Sequence, residues 1–247
     1  MKDNFSIQAQ DYSKFRPHYP VEMIQFIVSQ VRERGLAWDV ATGNGQVAAA
    51  LSPYFRQVFA TDISQKQLDN AVQKDNIIYK VEPAESSSFE TEQFDLITIA
   101  QAIHWFNFGA FYNEVRRVLK PDGVLAVMGY GLFYTNPATD EIIDRFYDDI
   151  IGEYWDAERS YIDEEYRTIP FPFGEIKAPE FINEFVWDFD QLTGYLRTWS
   201  AVQHYINKVG NDPVDLIKDE LKTSWEEGDK KVYFPLLLRI GKMVSGL

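Results

Sequence analysis

Ala37-Trp38-Asp39-Val40-Ala41-Thr42-Gly43-Asn44-Gly45-Gln46 reads as a short buried strand, a glycine turn and the first turn of a helix. Glycine lets backbone approach a ligand where a Cβ would collide. Gln57 to Thr61 is a second strand, and Asp62 closes it nineteen positions after Gly43. A carboxylate at that spacing suits the two hydroxyls of a ribose. Strand, turn and acid together predict a nucleoside-bearing cofactor.

The same rhythm extends outward. Pro20 opens a helix through Met23, Ile24, Ile27, Val28 and Val31 that Gly35 should stop. Strands are expected at 36–40, 57–62, 77–81, 94–99 and 124–128, with helices over 46–52, from Ser64 to about Val72, and over 108–119. Lys120-Pro121-Asp122-Gly123 reads as a turn. Nearly apolar strands alternating with helices predict an α/β fold, a doubly wound parallel sheet covered on both faces. Ligands bind such sheets beyond the carboxyl ends of the strands.

After Tyr130 the pattern changes. Residues 137–167 look helical, acidic and aromatic, and a Pro- and Phe-rich loop follows at 170–174. A strand is expected at 185–189, helices near 190–204 and 212–226, and a last strand over 231–240. No linker separates these inserts, so they read as a cap over the site within a single domain.

Composition narrows the partners. The formal charge is −14 over 247 residues, which opposes nucleic-acid binding because phosphate affinity comes largely from cationic side chains. The N-terminal cluster Lys14, Arg16 and His18 departs from that trend. The chain has no cysteine, hence no disulfide, thiolate zinc site or cysteine nucleophile. No apolar run reaches the ~18 residues of a membrane span, and Met1-Lys2-Asp3-Asn4-Phe5 lacks a signal peptide's apolar stretch. A cytoplasmic, membrane-free protein is expected. Its histidines, at 18, 104 and 204, form no evident metal cluster.

The glycine turn alone leaves the cofactor open. Gly43-Asn44-Gly45-Gln46-Val47-Ala48 also satisfies the dinucleotide fingerprint, so an NAD(P)-dependent oxidoreductase competes. Three features favour a cationic ligand. Asp39 lies in the strand, where it would attract an ammonium and repel a pyrophosphate. No second catalytic domain is evident. The turn Gln101-Ala102-Ile103-His104-Trp105-Phe106 is dense in aromatics, which suits a cation.

Asp39-Val40-Ala41-Thr42-Gly43-Asn44-Gly45-Gln46, Thr61-Asp62-Ile63-Ser64, Ala84-Glu85, Gln101-Ala102-Ile103-His104-Trp105 and Leu119-Lys120-Pro121-Asp122-Gly123 occur in the order found in class I S-adenosylmethionine-dependent methyltransferases. The chain resembles that family, and within it the trans-aconitate methyltransferase-like small-molecule group. The group's opening is matched by Phe5-Ser6 and by Arg16-Pro17-His18-Tyr19-Pro20, and later segments by Thr198-Trp199-Ser200-Ala201 and Phe234-Pro235-Leu236. Two positions depart from the pattern. Ala41 stands where the family has its first glycine, an exchange of little cost where φ is negative. Asp122 replaces a common glycine in a turn that should lie away from the chemistry.

The resemblance implies a Rossmann-like, mostly parallel seven-stranded sheet with an antiparallel last strand and a helical cap. It implies one domain over 1–247: a core of about 20–130 plus 180–247, a cap insertion of about 133–178 and an N-terminal lid, 1–19. S-adenosylmethionine would be the cofactor and S-adenosylhomocysteine the product. Asp62 would hold the ribose, with Ile63 beside it, and Ala84 and Glu85 would border the adenine. Gly43, Gly45, Ala41 and Asp39 would face the methionine part, and Gln101 and Ala102 the sulfonium. Tyr12 and Arg16 would close over the methionine carboxylate.

On the acceptor side stand His18, Tyr19, His104, Trp105 and Trp199. The resemblance favours a small carboxylic acid giving a methyl ester. A carboxylate is already nucleophilic at neutral pH and needs only donors to orient it. A hydroxyl or amine would need a base, and His104 is the candidate for that role. A non-catalytic binding module is a third reading, and it predicts cofactor binding without turnover.

Overall fold

Mainly apolar runs give β1 (Leu36–Val40), β2 (Gln57–Asp62), β3 (Ile77–Val81), at the partly exposed edge, and β4 (Phe94–Ala100). The computed structural model describes residues 17–243. Tyr12, Lys14, Arg16 and most of the expected lid therefore lie outside the described residues. β4 is buried almost throughout, as a strand covered on both faces must be. β1 pairs in parallel with β2 and β4, β2 with β3, and β4 with β5 (Leu119–Tyr130).

A strand over Lys231–Lys242 completes the sheet by running antiparallel to β5. Its far edge pairs first with β6 (Gly174–Ile176) and then with β7 (Phe181–Val186), so it is β8. β6 and β7 share one position. They are split across Pro179, which has no N–H to donate to a ladder. The spatial order is β3-β2-β1-β4-β5-β8-β6, with β7 also on β8. The seven-stranded sheet with its antiparallel last strand is thus present, its outer strand broken in two. The order reverses between β1 and β4, and that switch point is where a ligand crevice opens.

Alternate residues face opposite layers. Ala37, Val58, Ala60, Leu96 and Ala126 pack under α1 (Val21–Ser29) and α2 (Gln46–Leu51). Trp38, Val40, Ile97 and Val127 pack against the buried face of the helix Phe108–Val118. In the chain, α3 (Gln65–Asp69) comes between α2 and that helix and packs on β2 and β3; it is started by Ser64, whose hydroxyl accepts from the Gln67 backbone amide at 3.3 Å. The helix Phe108–Val118 is α4.

Two local expectations change. α1 ends at Ser29, well before Gly35. Gly35 instead opens β1: its amide and that of Leu36 donate to Asp95 at 3.0 and 2.8 Å, and a Cβ there would sit 2.9 Å from that carboxylate. The turn Lys120–Gly123 is a bulge inside β5, between the pairs Phe94–Leu119 and Leu96–Val124. It lies at the amino end of the sheet, with exposed Asp122 3.5 Å from Arg32.

The cap is built from two chain segments. α5 (Pro137–Arg145) runs into a π turn at Phe146–Ile150, and α6 (Ser160–Asp163) follows. α7 (Phe189–Arg197), α8 (Ser200–Val209) and α9 (Lys218–Glu227) complete it. The helix expected over 190–204 breaks at Thr198 and Trp199. Phe133, Phe146, Trp199, Trp225 and Phe234 share one aromatic core with Tyr130 and Val232, so residues 189–227 pack both on the helices of 137–163 and on the β5–β8 end of the sheet. No helix among the described residues is long and apolar enough to cross a membrane.

Candidate active site

β1 delivers Asp39 to its carboxyl end with the side chain 1 % exposed. Oδ2 accepts from the Thr42 hydroxyl at 2.5 Å and the Ala48 amide at 3.1 Å, and Oδ1 from the Thr98 hydroxyl at 2.8 Å. Gly45, the residue before α2, has no side chain to cap the helix, so Asp39 supplies an acceptor for its amino end. Thr98 stands opposite Asp39 in the β1–β4 ladder. A polar residue inside the apolar run Leu96–Ile99 was the available signal for it.

Burial raises the Asp39 carboxyl to about 6 against the three hydrogen bonds that lower it, and nearby Asp62 raises it further. The folded state thus binds this proton more tightly than the unfolded chain. The stability contribution is present in full below the ordinary carboxylate pKa and is lost as pH rises through about 6. Two pH steps of that size correspond to about 3 kcal/mol. Urea titrations at pH 4.5 and 7 should show about 2 kcal/mol of that loss in the wild type, because the unfolded carboxyl is already largely ionised at pH 4.5. Asp39→Asn should remove the Asp39 share of it; an unchanged pH slope would refute the account.

The turn that follows is wound left-handed. Ala41 has φ +51°, Gly43 +56° and Gly45 +78°. Alanine at 41 is therefore not free of cost, contrary to the negative φ assumed from sequence; the left-handed conformation costs a residue with a Cβ about 1–2 kcal/mol. The strain sits beside the cleft and persists because the neighbours are tied down. Thr42 N donates to Thr61 O at 2.9 Å, and Gly43 N to Asp62 Oδ2 at 2.9 Å. Asp62 Oδ1 accepts from Ser64 N at 2.9 Å. Asp62 at the end of β2 thus pins the glycine turn to the next strand, with half-buried Ile63 beside it.

The turn after β4 is its counterpart. Gln101 has φ +52°, and its side-chain amide donates to Tyr130 O at 2.9 Å. Tyr19, Asp39, Ala41, Gly43, Gln101 and Tyr130 line one cleft over the β1–β4 switch point. Ala102 is buried beneath it. Ala84 is buried after β3, and Glu85 accepts from the Asn107 amide at 3.2 Å at the start of α4. An acidic group in the cleft wall suits a ligand carrying an ammonium and opposes a pyrophosphate.

The comparisons with known proteins agree. Residues 38–127 match the methyltransferase domain family. The chain is 34 % identical, over 97 % of its length and 95 % of the relative's, to a Dictyostelium discoideum protein that carries a methyltransferase name. A Saccharomyces cerevisiae protein, 25 % identical over 89 % of this chain and 88 % of its own, is named for S-adenosylmethionine-dependent methyl transfer. A solved structure from Anaeromyxobacter dehalogenans, by name a type II methyltransferase, superposes with a TM-score of 0.86 at 35 % identity, covering 94 % of this chain and all of that one. The chain is a class I S-adenosylmethionine-dependent methyltransferase. The dinucleotide reading of the glycine turn falls away with that, and S-adenosylmethionine is the enzyme's methyl donor.

The remaining expected residues are dispersed. His104 and Trp105 form a tight turn at Ile103–Trp105 against the cap. His104 is buried, and its Nδ1 lies 3.2 Å from the Tyr166 hydroxyl. Burial first, and then the Arg159 guanidinium, lower its pKa to about 3. His104 is neutral across the physiological range. His18 is exposed, with its ring edge-on to Phe185 at 5.4 Å, and does not line the cleft. Trp199 is packed between Phe146, Tyr147 and Trp155 inside the cap.

Sequence reasoning missed Arg159. Its guanidinium lies over the Tyr147 and Trp155 rings at 5.3 and 4.8 Å. Nε donates to the Tyr147 hydroxyl at 2.7 Å and to Asp163 at 3.1 Å. Among the described residues nothing accepts from Nη1 or Nη2, although the side chain is only 18 % exposed. As one of three arginines in the acidic, aromatic stretch 137–167, it carries no periodic signal.

Proposed function

We propose that the enzyme transfers the methyl group of S-adenosylmethionine to a small carboxylic acid, giving a methyl ester. The Arg159 guanidinium carries this reading. It is stacked, nearly buried and close to the His104 turn, its terminal nitrogens making no hydrogen bond among the described residues, and that planar fork matches a carboxylate. His104 supports it by elimination. A group held neutral to about pH 3 is a poor proton acceptor at neutral pH, so an acceptor that is already ionised suits this wall better than a phenol or an amine. With a net charge of −14 the chain offers no long-range attraction to an anion, and the attraction has to be local.

Bound S-adenosylmethionine supplies an electrophilic methyl on a sulfonium. Asp62 would hold the ribose hydroxyls, Asp39 would face the ammonium, and Ala84 with Glu85 would border the adenine. The Gln101 turn would stand at the sulfonium, and Arg159 would orient the carboxylate for in-line attack. Such positioning supplies about 7–11 kcal/mol in well-oriented systems. The test is an acceptor panel of carboxylic acids, phenols and amines of matched size. At saturating donor, carboxylic acids are expected to turn over with a rate that is flat between pH 7 and 9, above the Asp39 titration near 6. Arg159→Gln should raise their KM about tenfold or more, with little change in KM for the donor. Faster turnover of a phenol or amine, or an unchanged KM in the variant, would sink the reading.

A further inference from the structure

Tyr166 is held by more constraints than packing alone demands. It is fully buried, with φ +60°, and follows Glu165 at φ +55°. Two successive left-handed residues with side chains are costly and persist only where the surroundings over-determine them. Here Arg239 from β8 donates to Tyr166 O at 3.0 Å and Ile169 O at 2.6 Å, while its other nitrogens hold Glu175. The Tyr166 ring lies against Gly129 of β5, where a Cβ would come within 2.7 Å of Cε2. All of this places one phenol oxygen 3.2 Å from His104 Nδ1 and 3.5 Å from Gln101 Oε1.

The direction of that chain follows from its fixed end. Tyr130 O is a carbonyl and only accepts, so the Gln101 group 2.9 Å from it is the amide NH2. Gln101 Oε1 then faces Tyr166 and needs a donor, which is the phenol O–H. With its one proton on Gln101 Oε1, the phenol meets His104 with a lone pair, which makes Nδ1 the donor. Nε2 is left without a proton, and no hydrogen bond is made to it among the described residues.

We infer that Tyr166 is a positioning residue that fixes the tautomer of His104, keeping the proton on Nδ1 and leaving Nε2 as a bare hydrogen-bond acceptor on the wall beside Arg159. An acceptor molecule held by Arg159 through its carboxylate then presents an N–H or O–H to Nε2, as a hydroxy or amide-bearing acid does. The last step rests on the carboxylic-acid reading above; the tautomer does not.

The experiment separates the two. With histidines only at 18, 104 and 204, long-range proton–nitrogen spectra of the full chain bound to S-adenosylhomocysteine resolve each ring, and His104→Asn assigns the signal. At neutral pH His104 is expected with Nδ1 protonated and Nε2 not. In Tyr166→Phe the ring should move toward the Nε2–H form that free imidazole prefers. The same variant should lose several-fold to about tenfold in kcat/KM for the acceptor while KM for S-adenosylmethionine stays within about twofold. A wild-type Nε2–H tautomer, or one that Tyr166→Phe leaves unchanged, overturns the inference. The wild-type spectrum decides the tautomer even if the variant folds poorly. Failure of every carboxylic acid to turn over would remove the acceptor class and leave the role of Tyr166 standing.

Discussion

Gly45→Ala is expected to destabilise the enzyme by about 2–5 kcal/mol and to abolish measurable cofactor binding at ordinary ligand concentrations. Two independent penalties add at this position. Gly45 has φ +78°, a conformation that costs a residue with a Cβ about 1–2 kcal/mol. The added Cβ would also collide with the Tyr79 hydroxyl and stand 3.1 Å from Tyr79 Cζ. Tyr79 cannot swing aside cheaply. Its hydroxyl donates to Val72 O at 2.5 Å, and Val72 N donates in turn to Asn44 O at 3.0 Å, so moving the ring loosens the glycine turn itself. Overpacking of this kind costs about 1–3 kcal/mol. In a chain of this size the sum lowers Tm by roughly 5–15 °C.

Gly43→Ala is the internal control. Its φ is +56°, but a Cβ there meets nothing nearer than Gln67 Oε1 at 4.0 Å. Only the conformational penalty applies, and its loss should be clearly the smaller. Tyr79→Phe in the Gly45→Ala background should recover part of the stability, because it removes the colliding oxygen. Equal losses at 43 and 45, measured by thermal unfolding, would show that Tyr79 has no part in making 45 a glycine.

The contrast between these glycines and Ala41 shows what the sequence displays and what it hides. Where left-handed backbone is taken by glycine, as at 43 and 45, the turn is visible in the sequence. Where Ala41, Gln101, Glu165 and Tyr166 take the same conformation, nothing local marks it. The central sheet was legible because its strands are short, mainly apolar runs and, apart from the β1–β4 switch point, each parallel pair joins neighbouring units. The cap was less so. Its core brings Phe133 and Phe146 against Trp199 and Trp225, and such distant partners leave no periodicity at either end. Among the site residues, Asp39 and Asp62 were legible as acids ending apolar strands. Arg159 and Tyr166 act on the His104 turn from more than fifty positions away, and only the folded chain brings them there.

Asp62→Ala is expected to weaken S-adenosylhomocysteine binding by about a hundredfold or more, the loss of two hydrogen bonds to a charged acceptor. The substitution removes two things together. The carboxylate already pins the Gly43 amide at 2.9 Å and the Ser64 amide at 2.9 Å, so its loss frees the turn as well as any ribose contact. A simple drop in affinity therefore does not identify the ribose as its partner. Comparing S-adenosylhomocysteine with its 2′,3′-dideoxyribose analogue does. If Asp62 holds the hydroxyls, the wild type prefers the natural ligand by a large factor, and Asp62→Ala binds the two nearly alike. If Asp62 only pins the turn, the variant weakens both ligands by the same factor and the preference survives. Calorimetry on the four pairings yields the coupling directly, because the pinning contribution is common to both ligands and cancels. A coupling near zero would assign Asp62 to the architecture of the turn and leave the ribose to another group.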